Sequence, residues 1–325
     1  MIYVKYSSPD VSLNLAAEYY FATERTFDDD VFTLWQPRPT IVVGSFQNIH
    51  EEVDVAYATS RGIDIVRRLS GGGTVYQDSG SIQFAFIERR EGDIDFVRYL
   101  TPICAVLREL GIDAEINGRN DITVDGKKVS GNSQYRAGGK TVHHGTLLFS
   151  VDIDEMARAT TPPDYKVSSK GIKSVRSRVC NMCDHTDKVK TSEEFMEYLA
   201  RRVGGEHVYV PTTDDLVRIE EIADERFRAE RRVNLSAKSP RFDFEKVCTL
   251  PGGSVIFRLT VKSGVIESAD ILGDFFSNTG IEPLVRALVG CAFTADAVTN
   301  AVVGSGFTAM GIDVCRLAEM LTAGI

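Results

Sequence analysis

The most constraining stretch of the chain is Ile122-Thr123-Val124-Asp125-Gly126-Lys127-Lys128-Val129. Two β-type runs are joined there by a dipeptide that supplies both left-handed positions of a type I′ turn. Such a turn dictates a tight antiparallel hairpin, with Val124 opposite Lys127 and Thr123 opposite Lys128. Side chains alternate along strands, so Asp121, Thr123, Lys128 and Ser130 share one face and Ile122, Val124 and Val129 the other. The apolar set marks the core. Lys127, at the tip, then snorkels to water, whereas Lys128 lies beside Asp121 and is the lysine expected to carry chemistry. Further β runs, IDIVRRLS at 63–70, GSIQFAFIERR at 80–90 and TVHHGTLLFSV at 141–151, show no regular strand–helix–strand rhythm. That predicts an α+β fold rather than a doubly wound parallel sheet.

Helical spacing of Leu13, Ala16, Ala17, Tyr20 and Phe21 predicts a helix over 11–24, and others are expected over 51–62 and 96–111. A capping box, Thr191-x-x-Glu194, opens a helix through about 203, and a charged helix is expected over 214–228. RRVNLSAKSPRF at 231–242 has the composition of a linker, which divides the chain into domains at 1–237 and 238–325. In the second domain, FDFEKVCTL, SVIFRLTVKSG and VIESADILG read as strands. Helices are expected there from the capping box Thr279-x-x-Glu282 and near Thr294 and Gly311.

A chain of 325 residues with 43% apolar content is that of a folded globular protein. No stretch approaches the roughly 18 apolar residues of a membrane span, and the first residues lack a leader pattern, so a cytoplasmic protein is expected. A net charge of −9 argues against nucleic-acid binding. Within this acidic chain, however, Lys166, Lys170, Lys173, Arg176, Arg178, Lys188 and Lys190 form one basic stretch, which points to a local anionic ligand or partner. Of the six cysteines only Cys180 and Cys183 lie close together, so no disulfide framework is expected. Cys180-x-x-Cys183-x-His185 lacks an evident fourth ligand, and no metal site is assigned to it.

RRLSGGGTVYQDSG, at 67–80, is the second motif. Three consecutive glycines cost about 0.5–1 kcal/mol each relative to alanine in regular structure. Close approach of backbone N–H groups to a phosphate or carboxylate would offset this. The spacing is neither the dinucleotide fingerprint nor the P-loop. Arg67 and Arg68 alternate, so only one faces such a ligand, and Arg68 is the one expected to. GRNDI at 118–122 offers Asn120 and Asp121 to orient a lysine or a ligand hydroxyl, and in HHGT at 143–146 His144 and Thr146 share a strand face.

Taken together, RRLSGGGTVYQD (67–78), GRNDI (118–122), KKVSGNSQYR (127–136), HHGTLLF (143–149) and SSKGIKSVRSRVCN (168–181) resemble the lipoate-protein ligase family. The likeness continues through NLSAKSPRFDF and ILGDFF, over nearly the whole chain. It implies the fold shared with biotin protein ligases: a catalytic domain with mixed sheets and flanking helices, and a small accessory α+β domain. It implies ATP-dependent ligation of lipoate, through lipoyl-AMP, to a lysine of lipoyl acceptor domains, those of 2-oxoacid dehydrogenase acyltransferase subunits or the glycine-cleavage H protein. ATP and Mg²⁺ are the cofactors so implied.

By the same resemblance Lys128 meets the lipoate carbonyl and the α-phosphate. Arg68, Ser70, Gly71, Gly72, Gly73, Thr74, Val75, Tyr76, Ser81, Asp121, Ser133, His144 and Thr146 bind ATP or the adenylate. Lys170, Lys173, Arg176 and Arg178 belong to a mobile loop. Three residues depart from the family pattern: Gln77 stands where histidine is usual, Ser81 where asparagine is common and Ser133 where alanine is common. Strand parity suggests Val75, Phe84 and Phe86 for the apolar lipoate slot. The alternative activity is an ATP-independent octanoyl or lipoyl transferase working through a thioester on Cys180 or Cys183.

Overall fold

A computed structural model of the chain describes residues 1–89, 93–160, 176–229 and 242–323. The chain divides into two compact units, one of Met1–Val43, Ile49–Leu69 and Thr74–Leu235, the other of Gly44–Asn48, Ser70–Gly73 and Ser236–Ile325. The linker-like stretch at 231–242 falls, except for Phe242, outside the described residues.

In the first unit the elements run β1 (Ile2–Val4), α1 (Val11–Thr23), β2 (Val31–Trp35), β3 (Thr40–Val43), α2 (Ile49–Glu52), α3 (Val55–Ser60), β4 (Asp64–Arg67), β5 (Val75–Gln77), β6 (Ser81–Glu88), α4 (Phe96–Glu109), β7 (Glu115–Asn117), β8 (Asp121–Val124), β9 (Lys127–Ala137), β10 (Lys140–Leu148), α5 (Ile153–Ala159), α6 (Ser192–Val203), β11 (His207–Tyr209) and α7 (Thr213–Ile222). An eight-stranded sheet has the order β11-β1-β2-β6-β10-β9-β8-β7, and a three-stranded sheet the order β4-β3-β5. β11, β1 and β2 pair in parallel and the rest of the large sheet is antiparallel. The sheet is therefore mixed, as an α+β fold requires. Among the described residues no helix is long and apolar enough to cross a membrane.

The large sheet is covered on both faces. Cross-strand partners project to the same side, so the pairs Phe32–Phe86 and Phe86–His143 mark one face, which packs on Tyr99 of α4. Trp35, Gln83, Thr146 and His144 mark the other, which packs on Glu18 of α1. The expected single helix over 51–62 is broken in two. Asp54 interrupts it, because its carboxylate accepts from Tyr57 N and starts α3 afresh. Gly62, at φ +67°, ends that segment as expected.

In the second unit β12 (Phe244–Leu250), β13 (Gly253–Lys262) and β14 (Val265–Gly273) form an antiparallel sheet, followed by α8 (Glu282–Leu288), α9 (Ala295–Gly304) and α10 (Val314–Thr322). Its core gathers Val255, Phe257, Ile271, Phe275, Leu284, Val302 and Leu317. α8 does not start from Thr279. Gly280 is left-handed at φ +72°, and Pro283 as fourth helical residue would lack the N–H for the first intrahelical bond. The helix begins instead at Glu282, which leaves Pro283 in its first turn, and Thr279 Oγ1 accepts from Thr308 N.

One buried carboxylate ties α1, β11 and α7 together. Asp215 accepts from Tyr20 Oη at 2.6 Å, from Tyr209 Oη, and from Thr212 N and Oγ1 at 2.7 and 2.8 Å, closing a capping box. Burial raises its affinity for a proton, but these donors outweigh it and hold the carboxyl down at about 2. The folded state therefore favours the ionised form. The resulting stability is present in full above the unfolded value of about 3.9 and is lost as pH falls through about 2. Asp215→Asn should lower stability by about 1–3 kcal/mol at pH 7. In urea titrations the difference from the parent protein should shrink between about pH 4 and about 2, and a pH-independent difference would refute this account.

Candidate active site

Asp125 and Gly126 both adopt positive φ, at 50° and 73°, and the register is the expected one, Val124 with Lys127 and Thr123 with Lys128. The stretch Ser130-Gly131-Asn132-Ser133 is no loop: β9 runs through it unbroken to Ala137. One residue is added on that strand, because Ile122 pairs with Ser130, so Val129 is an extra position in the ladder. Past this bulge the Lys128 ammonium reaches Asp121, with Nζ 2.8 Å from Oδ1, while Lys127 is exposed. A Cβ on Gly131 would lie 2.8 Å from Lys128 Nζ, so glycine leaves room for the lysine head. Asn132 and Asn120 lock the approach to β8 by reciprocal amide–carbonyl bonds of 2.9 and 2.7 Å.

On the same face His144 Nδ1 lies 2.7 Å from Oε2 of Glu18, which has no exposed surface and also accepts from Trp35 Nε1 at 3.2 Å. Glu18 and Trp35 were not singled out by the sequence reading. A glutamate within the mostly apolar run Leu13–Ala22 was the available signal, but helical spacing alone does not distinguish a buried carboxylate from a solvated one. The neighbouring His143 belongs to the opposite face. It is buried, stacks on Tyr99 at 4.5 Å and meets Gln134 Nε2 at 3.0 Å, and burial, then His144, push its pKa well below the ordinary histidine value. Phe84 and Phe86 are on this His143 face too, packed into the core, so they do not line a slot beside His144. Ser133 lies opposite His144, and Gly131 opposite Thr146.

Thr146 sits in a polar cluster with two of the three departures, Gln77 and Ser81. Its Oγ1 donates to Gln83 Oε1 at 2.6 Å, and Gln77 Nε2 meets both at 2.9 and 3.3 Å. Ser81 is fully buried and serves a turn: Oγ donates to Asp78 O and accepts from Asp78 N and Gln83 Nε2. In the small sheet Val75 pairs with Val42 and Tyr76 with Ile41, and Thr74 precedes them. Arg68, just past β4, is buried and donates to Val42 O at 3.1 Å. Burial, then the charge of Arg67, lowers its guanidinium to about 10.

Ser70, Gly71, Gly72 and Gly73 group with the second unit. Each glycine has a separate reason. A Cβ on Gly71 would lie 2.2 Å from Phe275 O, Gly72 has φ +88° and donates to that same carbonyl, and Gly73 has nothing described within 4 Å of its Cβ position. Of the basic stretch, Lys170 and Lys173 lie outside the described residues. Arg176 pairs with Asp154 at 2.7 Å, and Val179, next to Arg178 in the chain, bridges to Lys128. Cys180 N donates to Lys128 O, and burial first raises both the Cys180 and Cys183 thiols. A cavity of about 750 Å³ lined by Tyr3, Leu34, Met196 and Val208 includes none of these residues.

The first unit carries a lysine–aspartate pair over a glycine on its mixed sheet, and a small α+β unit follows it in the chain. Residues 10–204 match the lipoyl protein ligase A/B catalytic domain and residues 239–315 the bacterial lipoate protein ligase C-terminus. The chain is 37% identical to the lipoate-protein ligase LplJ of Bacillus subtilis over 306 residues, 91% of each chain. Its fold is similar to that of Plasmodium falciparum LipL1 solved in complex with lipoate, with a TM-score of 0.73 at 19% identity over 95% of each chain. A lipoate-protein ligase A solved with ATP matches at a TM-score of 0.56 and 22% identity, over 69% of this chain and 94% of that one. The chain belongs to the lipoate-protein ligase family, and it is a ligase that acts in lipoylation.

The glycine under Lys128 offers a direct check. In Gly131→Ala the methyl group meets the end of a flexible side chain, so the fold should be kept and the ammonium displaced. Ligation of lipoate should fall about 10²-fold, as for a 1 Å misplacement. Thermal unfolding should be nearly unchanged. Full activity in that variant would show that Lys128 does not need this seat.

Proposed function

We propose that the chain joins lipoate to ATP as lipoyl-AMP and then passes the lipoyl group to a lysine of a lipoyl acceptor domain. The observation that carries this reading is the Lys128–Asp121 pair seated on Gly131, on the sheet face that also presents His144 and Thr146. In the first half-reaction a lipoate carboxylate oxygen attacks the α-phosphorus, the bond to the β-phosphate oxygen breaks and pyrophosphate leaves. Two anions must meet, so fixed cations are required where the charge concentrates. Lys128, held by Asp121, and the buried Arg68 supply them.

In the second half-reaction the neutral acceptor amine attacks the acyl carbon, the bond to the phosphate oxygen breaks and AMP leaves, while the nitrogen loses a proton. Lys128 acts throughout as a charge that positions the carbonyl and the phosphate, not as a nucleophile. Mg²⁺ supplies charge neutralisation for the phosphates when bound, and their own oxygens would be its main ligands. No trio of histidine, cysteine, aspartate or glutamate side chains able to hold a metal occurs among the described residues. Gly73, Thr74, Val75 and Tyr76 continue the assigned adenylate contacts, with Ser70, Gly71, Gly72, Ser81, Ser133, His144 and Thr146. Acceptors of the 2-oxoacid dehydrogenase or glycine-cleavage type fit the basic stretch through charge complementarity with an acidic surface. Against a thioester mechanism stands the state of Cys180, which is buried with a raised thiol, whereas a cysteine nucleophile needs a lowered one.

The test follows an unmodified lipoyl domain by intact mass with lipoate, Mg²⁺ and ATP. Lys128→Ala should lower the ATP-dependent gain about 10²–10³-fold, as removal of a preorganised charge does. Lys127→Ala should leave it unchanged. A gain without ATP from an octanoylated carrier, abolished by Cys180→Ala, would replace this reading with the transferase.

A further inference from the structure

The Lys128 end of β9 has an edge that β10 does not cover. The ladder between the two strands closes at Ser130 with Leu147, short of Lys128. Beyond that point the chain bends away, and the N–H groups of Phe149 and Ser150 both donate to Gly80 O, at 3.1 and 2.8 Å. The place left beside Lys128 is taken by a later segment: Val179 bridges to Lys128 in parallel, and Cys180 N donates to Lys128 O at 3.2 Å. An isolated bridge does not hold itself in place, because fixing the backbone of one residue costs about 1–2 kcal/mol and a single hydrogen bond returns about 0.5–1.5 kcal/mol. The segment needs another anchor.

Asn181, the next residue, supplies it. Its Oδ1 accepts from Val151 N and its Nδ2 donates to Val151 O, both at 2.9 Å. Val151 offers one N–H and one C=O, so the amide has one orientation that satisfies both. Asn181 also precedes the 3₁₀ turn Met182–His185, a position where an asparagine side chain ordinarily caps, yet it makes no capping bond. Its side chain is committed to Val151, in the buried stretch that follows the bend of β10. Cys183 N adds a bond to Phe149 O at 3.0 Å. On the other edge of β9, Asn120 and Asn132 hold β8 by the reciprocal bonds already described. Lys128 is thus braced by asparagines on both edges of its strand.

We propose that Asn181 is a positioning residue for Lys128, a role that rests on the reading of Lys128 as the charge that meets the lipoate carboxylate and the phosphate. Asn181 touches no reacting atom. It acts through the backbone: with Val179 and Cys180 tied down, the strand end that carries Lys128 is fixed, and the 2.8 Å contact of Nζ with Asp121 is made from a fixed origin. Without the tie that strand end loses its partner on the β10 side, and a displacement of the charge by about 1 Å is enough to cost about 10²-fold in rate. The amide is specific to the task, because a carboxylate in its place would face Val151 O with no hydrogen to give.

A double-mutant cycle tests this, with single-turnover ligation of lipoate to a lipoyl domain followed by intact mass. Asn181→Ala should slow ligation about 10–10²-fold in the parent protein. Combined with Lys128→Ala it should slow that variant by less than about threefold, because the two residues act as one unit. Asp215→Asn, which loosens the same unit at a different place, should ligate at the parent rate. If Asn181→Ala does not fold, Asn181→Asp, which keeps the bond from Val151 N, takes its place in the cycle with the same expectation. An equal loss with and without Lys128, a comparable loss in Asp215→Asn, or the parent rate in Asn181→Ala would overturn the proposal. The parent rate in Lys128→Ala alone would instead overturn the reading of Lys128 on which it rests.

Discussion

The seat of Lys128 on Gly131 is the constraint around which the rest of the first unit is arranged. A lysine head near a strand backbone has room only if the residue beneath lacks a side chain, and it keeps one position only if a carboxylate holds it. Both conditions depend on the bulge in β9, which places Asp121 opposite Gly131 rather than one residue away. The bulge in turn depends on the Asp125-Gly126 turn, which sets where the ladder starts. Val179 and Cys180 add a backbone partner on the outer side of Lys128 itself. The charge is therefore preorganised: turn, bulge, glycine, carboxylate and added backbone each restrict it before any ligand arrives.

The two faces of the central sheet divide stability from chemistry, and the adjacent histidines show the division most clearly. His143 is surrounded by Phe84, Phe86, Phe96 and Tyr99, where a charged imidazolium would lose its hydration with nothing to replace it. His144, one residue along, points to the other face, where its Nδ1 lies 2.7 Å from Glu18 Oε2. Glu18 can itself be buried because it accepts from two donors, His144 and Trp35. The apolar face thus holds the sheet rigid, and the polar face has groups that only a rigid sheet could keep in register.

Much of this was legible in the sequence wherever a local rule governs. The Asp-Gly turn follows from its dipeptide, and the common face of His144 and Thr146 from alternation, whereas Ser130, expected on the Lys128 face, pairs with Ile122 because the bulge at Val129 shifts the alternation. The failures are equally specific. The helix over 51–62 and the start of α8 went wrong where one residue, Asp54 or Gly280, imposes a local geometry that spacing does not reveal. Phe84 and Phe86 were placed by parity without knowing which face α4 covers, a tertiary fact. Glu18 reaches His144 across 126 positions of chain, and no local pattern reports such a contact.

The triple glycine shows how a correct motif can carry an incomplete reason. Approach to a phosphate or carboxylate is one reason for three glycines in a row, yet two are required by the protein itself: Gly71 by the carbonyl of Phe275, and Gly72 by its left-handed backbone. A run of like residues need not have one cause. The three family departures follow the same logic from the other side. The Ser81 hydroxyl donates to Asp78 O and accepts from Gln83 Nε2, so it orients Gln83, and Gln83 in turn orients Gln77. Two departures that look independent along the chain, Gln77 and Ser81, are linked through the one shared amide of Gln83, so a change at either position is felt at the other.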